Sequence, residues 1–359
     1  LRNCELRNLG NGRLKGVFHR MIQTIDGLLP DTDYEIMLVR ANEASETVTF
    51  HTEPEPITLN VRDFGAFGDG VHDDTSAIQA AILCCPKNAR VLIPKGTYPV
   101  TALFLKSDMI LELQENAVLA GIYDRARTPI LPGQIEYDNE DGYYNLGSWE
   151  GNPIDSFASM ITGIHVKNVT ICGKGVLDGR ADFENWWSRP KDKIRAWRPR
   201  MIFLNHCENI TVVGVTVQNS PAWNLHPYFS NQIRFLDMEV KGPANSHNTD
   251  GCDPESCTNV EIAGVHFSVG DDCIAIKSGK IYMGKKFKVP SKHIHIRQSW
   301  MQDGHGAVTV GSEIAAGVDD IHISKCRFSN TRQRSSCKKS RRGRGKDSVL
   351  KELYLKILS

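Results

Sequence analysis

Asn259-Val260-Glu261-Ile262 is followed by Gly264-Val265-His266-Phe267, and the cadence returns at His293-Ile294-His295-Ile296. Apolar and polar residues alternate in these runs, the period-two pattern of a strand with one buried face. Working outward, strand starts of the same kind recur at Asn168-Val169-Thr170-Ile171, Asn209-Ile210-Thr211-Val212, Gln232-Ile233-Arg234-Phe235 and Asp320-Ile321. From Asn209 onward they fall roughly 23 to 34 residues apart, the length of one solenoid turn. Each is followed by a second strand, as in Gly214-Val215-Thr216-Val217. No helical period interrupts the series. Few Asn-Gly or Asp-Gly pairs stand where a hairpin needs them, which argues against an antiparallel sandwich. The pattern predicts an all-β fold, a right-handed parallel β-helix in which each strand is one rung.

Between these strands lie Asn248-Thr249-Asp250-Gly251-Cys252-Asp253, Gly270-Asp271-Asp272-Cys273 and Gly304-His305-Gly306. If each strand is a rung, the three motifs occupy equivalent corners of successive turns and converge in space. A trio of aspartates suits glycosidic hydrolysis. One carboxyl must give a proton to the departing sugar oxygen, and another must take one from water. Crowded negative charge raises the pKa of one member, so both forms can coexist.

In this order and spacing the motifs resemble those of the polygalacturonases, glycoside hydrolase family 28, over roughly Asn60 to Asn330. The resemblance implies that Asp271 is the acid and that Asp250 and Asp272 hold the attacking water. His305 would hydrogen-bond within the cluster. The implied reaction is single displacement with inversion, for which carboxyl groups ~6.5–9.5 Å apart are expected. Asp253 matches the last aspartate of the family's first motif and is expected to contact a sugar. Trp223 and His226, one turn earlier, are expected to line the cleft, and Lys277 to offset the carboxylates or meet the substrate's. No ligand set for a metal and no cofactor is evident. His293 and His295 read as exposed strand histidines.

The resemblance breaks after Asn330-Thr331. The family's fourth motif would read Asp-Arg-Gly-Leu-Arg-x-Lys here, its two cations holding the galacturonate carboxylate. The chain instead reads Arg332-Gln333-Arg334-Ser335-Ser336-Cys337-Lys338-Lys339. Ser336 stands at the arginine position and Lys338 falls near the lysine position. The codons GAC AGA GGT CTT CGT GCA AAA, read with one base inserted ahead, give the observed run. A local frameshift is therefore expected in residues 332–339. The end at Ser359 is expected to leave out the final coils and expose a strand edge.

Residues 1–55 read as a separate unit. Leu28-Leu29-Pro30-Asp31-Thr32-Asp33-Tyr34 and the strands after it resemble the C-terminal half of a fibronectin type III sandwich. Residues 56–359 form the β-helix. At its start Asp74 or Thr75 is expected to cap a helix with Ile78, Ala81 and Ile82 on one face, covering the open end of the coil. Residues 129–155, rich in Tyr, Trp, Gly and Asn, are expected to leave the coil as a loop suited to sugars.

The chain has 359 residues, formal net charge +1 and 40% apolar residues, as in an ordinary soluble globular protein. The balance gives no basis for a nucleic-acid partner, and no apolar run approaches the ~18 residues of a membrane span. The ten cysteines show no close pairing pattern. Cys172, Cys207, Cys252, Cys257 and Cys273 are expected to act as small buried hydrophobes.

The first expectation is thus a monomeric hydrolase cleaving α-1,4 bonds of polygalacturonate, exo-acting because a loop closes one end of its cleft. Such a substrate points to a secreted or periplasmic protein. The alternatives are a rhamnogalacturonan or xylogalacturonan hydrolase, a calcium-dependent lyase on the same coil, and a non-catalytic polysaccharide-binding β-helix.

Overall fold

The computed structural model describes residues 4–8, 14–18, 22–40, 43–133, 146–337 and 348–357. They fall into two compact units, Leu1–Ile57 and Thr58–Ser359. The first is a four-stranded antiparallel sheet. Its inner strands Cys4–Asn8 and Asp33–Arg40 pair with each other, flanked by Leu14–Phe18 and Glu43–His51.

The second unit is a parallel β-helix with three rows of strands. One row climbs through Lys167–Gly173, Glu208–Val213, Asn231–Leu236, Thr258–Ala263, Ser291–Arg297 and Val318–Ser329, each paired in parallel with the next. The sequence's alternation becomes a stack here. Ile171, Val212, Phe235, Ile262, Ile296 and Ile323 are in register on successive rungs and fully buried. The recurring strand starts are corners. Asn168, Asn209, Gln232, Asn259, His293 and Asp320 all have φ between 53° and 57°. Asparagine is one of the few residues that visit this left-handed region readily. Some of these corners bond along the stack, as where Asn209 Nδ2 donates to Asn168 Oδ1 at 2.8 Å.

A second row runs through Val176–Asp178, Thr216–Gln218, Glu239–Lys241, His266–Ser268 and Trp300–Gln302. The third row positions the site. It contains Ile161–Ile164, Ile202–Asn205 and Leu225–Tyr228, continues through bridges at Cys252 and Glu255, and resumes with Ile274–Ile276, Gly306–Val310 and Gln333–Cys337.

The helix Thr75–Cys84 buries Ile78, Ala81 and Ile82 completely, as the sequence predicts. The capping chemistry differs. Asp74 holds the N-cap position without bonding the first turn; its carboxylate accepts from the Phe67 and Gly68 amides instead. Asp73 Oδ1 accepts from the Thr75 amide and hydroxyl.

Three expectations are corrected. A short helix, Ile281–Phe287, does interrupt the strands. Gly284 hides its periodicity, and a side chain there would collide with Ala315, its Cβ falling 2.6 Å away. Cys172 is only half-buried, because Ile171 takes the inward position and alternation turns its neighbour outward. The strand edge at Val318–Ser329 is also not bare: Ser348–Ile357 pairs with it antiparallel.

Candidate active site

Each strand of the third row is entered through a turn, and the three motifs occupy successive turns. The turns are tied directly together. The Gly251 amide donates to the Asp272 carbonyl at 2.9 Å, the Cys273 amide to Gly306 at 2.7 Å, and the His305 amide to Asp271 at 2.9 Å. Asn224 donates to the Asp250 carbonyl below, and Arg332 to Gly304 above. A column of equivalent corners therefore carries Asp250, then Asp271 and Asp272, then His305.

One carboxylate oxygen each of Asp250, Asp271 and Asp272 lies within 4.8 Å of the others. This is tighter than the ~6.5–9.5 Å window expected from the sequence. The register is the reason. Asp271 and Asp272 are adjacent in the chain, and Asp250 sits one rung away, where stacked strands are ~4.8 Å apart. The glycines make the crowding possible. A Cβ at Gly306 would fall 2.8 Å from Asp272 Oδ1, and one at Gly251 would fall 2.4 Å from the Cys273 carbonyl.

Exposure divides the cluster. Asp250 and Asp272 are buried. The Asp271 side chain is 22% exposed and that of His305 is 46% exposed, with His305 Nδ1 3.2 Å from Asp271 Oδ1. That hydrogen bond raises the pKa of His305. Burial, reinforced by Asp253 and Asp271, pushes Asp250 well above the usual carboxylate range, while Lys277 opposes the rise. Asp250 thus retains a proton to higher pH than an isolated carboxylate would. The solvent-facing member of the trio is Asp271.

The other residues named from the sequence are not on the open surface. Asp253 is 0% exposed and Trp223 2%, so neither reaches a sugar in this conformation. His226 is equally buried and turns Nε2 to Glu255 Oε2 at 3.0 Å. Over Trp223 lies part of the loop expected to suit sugars, which here forms a strap. Within residues 146–155, Trp149 stacks on Trp197 with ring centroids 4.7 Å apart and on Trp223 at 6.0 Å. The Lys280 amide donates to the Gly151 carbonyl at 3.0 Å, and Arg200 to the Ser148 carbonyl. Lys277 is buried too. Its Nζ lies 3.0 Å from Glu313, 3.4 Å from Asp253 and 3.9 Å from Asp250. Of its two expected roles, offsetting the carboxylates is the one its position serves. Lys338 lies outside the described residues.

Sequence reasoning missed Arg198, which fixes the first motif. Its guanidinium donates to the carbonyls of Pro221 and His247 at 2.7 and 2.8 Å, and to Asn248 Oδ1 at 2.7 Å. The only trace was Arg198-Pro199-Arg200, two arginines beside a strand rather than on a solvated face. Glu313 stood in view, but nothing marked it as the partner of Lys277.

A family model described as glycosyl hydrolases family 28 matches residues 133–346. The chain belongs to that family. Residues 58–121 match a second model, rhamnogalacturonase A/epimerase, pectate lyase-like. Among curated relatives, a probable polygalacturonase of Vitis vinifera is 30% identical over 82% of this chain and 59% of its own length. An exo-poly-α-D-galacturonosidase of Dickeya chrysanthemi is 29% identical over 84% of this chain and 57% of its own. The family 28 chain therefore spans about three-fifths of the length of the curated relatives it matches. The crystal structure of a hyperthermoactive exopolygalacturonase from Thermotoga maritima superposes with a TM-score of 0.67 at 28% identity, covering 78% of this chain and 70% of that one. The fold is the right-handed parallel β-helix. Among the described residues no helix is long and apolar enough to cross a membrane.

Proposed function

We propose that this family 28 chain hydrolyses α-1,4 bonds between galacturonate residues of pectin as a monomer, with inversion. The observation that carries the reading is the convergence of three aspartates and His305 on one corner column, with Asp271 alone of the carboxylates open to solvent. Asp271 gives its proton to the departing sugar oxygen, and His305 orients it through Nδ1. Asp250 and Asp272 hold the attacking water and take its proton. Inversion is carried by the family likeness rather than by the carboxyl spacing.

Exo action is favoured by the strap, which lays Trp149 over Trp223 and reaches Lys280 across the third row. Chain-end attack follows if the strap closes one end of the groove. The match of residues 58–121 to a rhamnogalacturonase model favours a second reading, a rhamnogalacturonan hydrolase with the same carboxylates. We also propose that the four-stranded sheet of residues 4–51 is part of a fibronectin type III-like module.

Product analysis on polygalacturonate and on rhamnogalacturonan separates the two substrates. Monomer alone from the first time point supports exo action, whereas a ladder of oligomers refutes it. D271N should lower kcat by about 10²–10⁴ with the fold unchanged by circular dichroism. Undiminished activity in that variant removes Asp271 as the acid.

A further inference from the structure

Lys277 is the most deeply buried amine in the described site, and its neighbours come from every element around it. The turn below supplies Asp250 and Asp253 at 3.9 and 3.4 Å. The loop after Gly306–Val310 supplies Glu313 at 3.0 Å. The Trp223 ring closes the apolar side, its centroid 4.4 Å from Nζ. Farther out, Glu255 adds negative charge, and Arg200 and His226 stand near it, His226 Nε2 3.0 Å from Glu255 Oε2. Asp272 and Asp271, on the lysine's own segment, complete the ring through their field on Asp250.

From this geometry we propose that Lys277 is a positioning residue for the hydrolytic reaction. Its ammonium is the resident cation that favours the ionised form of Asp250 against burial and the neighbouring carboxylates, and Glu313 competes for it. The inference rests on the hydrolase reading above and adds to it a division of labour. Nζ touches no reacting atom. It acts through Asp250, one of the two carboxylates assigned to the water, and holds Asp253 beside it. Burying an amine costs more than burying a methionine unless nearby anions compensate. Here Glu313 is bonded to that amine and Asp253 ion-paired with it, while Asp250 stands at the limit of contact. A purely structural lysine has no need to end 3.9 Å from a reacting carboxylate.

The test is the acid limb of kcat/KM against pH on polygalacturonate. In K277M the limb should move to higher pH by about 1–3 units, the effect of removing an opposite charge at this range, and K277R should restore most of it. E313Q should move the limb the other way, because the ammonium is then left to Asp253 and Asp250. Equal limbs in wild type, K277M and E313Q overturn the proposal, even if rates fall. A second readout is independent of turnover and covers a poorly active K277M. Its melting temperature should fall further below wild type as pH rises from 5 to 9, since the carboxylates it leaves uncompensated then ionise. A deficit that does not vary with pH also overturns the proposal. Absence of any reducing-sugar release by the wild type refutes the hydrolase reading instead and leaves the melting series as the test of the lysine.

Discussion

Asp253 and Glu255 sit side by side on the turn below the acid, both completely buried. Burial raises Asp253 to about 7 against the pull of Lys277, and raises Glu255 to about 8. A carboxyl with a raised folded-state pKa stabilises the fold fully below its unfolded value of ~4. It loses that contribution as pH rises through its folded value. His226, whose pKa is lowered by burial, works in the opposite sense only below its unfolded value of ~6.5. Between pH 6.5 and 8 the two carboxyls therefore dominate this group, and the melting temperature should fall across that interval. D253N should flatten the decline, and a decline unchanged in D253N would contradict it. At this scale the sequence was legible where chemistry is local. Asp250, Asp271, Asp272 and His305 could be named from glycine-flanked motifs because those glycines are required by close approach between rungs. Asp253 was expected to meet a sugar from its place in the family's first motif, and Trp223 and His226 to line the cleft because they lie one turn earlier. Trp223 is covered by Trp149, more than seventy residues away, and no local pattern encodes that.

The last element of the third row, Gln333–Cys337, bears on the broken fourth motif. It pairs in parallel with Gly306–Val310, position 335 opposite Val308 and position 336 opposite Thr309. Val308 points into the coil, fully buried in the main core. The register sets position 335 beside core Val308 and position 336 beside Thr309. The chain has Ser335 and Ser336. The frame-restored reading has Leu beside Val308 and Arg beside Thr309. S335L/S336R should therefore strengthen binding of an oligogalacturonate by roughly ten- to more than a hundred-fold. A charge-assisted hydrogen bond to a uronate carboxylate contributes ~1.5–3 kcal/mol. Calorimetric titration with the wild type and the double variant checks this, and equal affinities would show that position 336 does not meet the carboxylate. Strand starts such as Asn209 were readable because a left-handed corner selects Asn. The strap was not, since its partners Arg200 and Lys280 lie far along the chain, reached through the Ser148 and Gly151 carbonyls and the side chains of Trp149 and Glu150.

Over the whole second unit, stability should be distributed as in a stack rather than a globule. Each rung pairs only with the rungs before and after it, so the free energy is close to a sum of rung and interface terms. This is why the fold class was the most legible feature: one alternation, repeated, specifies each interface in turn. Elements outside the repeat need separate devices, and there the sequence was less explicit. The helix Thr75–Cys84 was found by its apolar face, but the antiparallel pairing of Ser348–Ile357 follows no period seen elsewhere in the coil. The stacked arrangement makes a spatial prediction. Ile262 is fully buried between Phe235 and Ile296, and I262A should cost about 2–5 kcal/mol in urea denaturation. Because rungs couple to their neighbours, hydrogen exchange should accelerate first in Asn231–Leu236, Thr258–Ala263 and Ser291–Arg297. Amides of the cap helix, several rungs away, should keep their wild-type protection. Uniform acceleration through the cap would mean that the coil unfolds as one cooperative block, and the rung-by-rung account would fail.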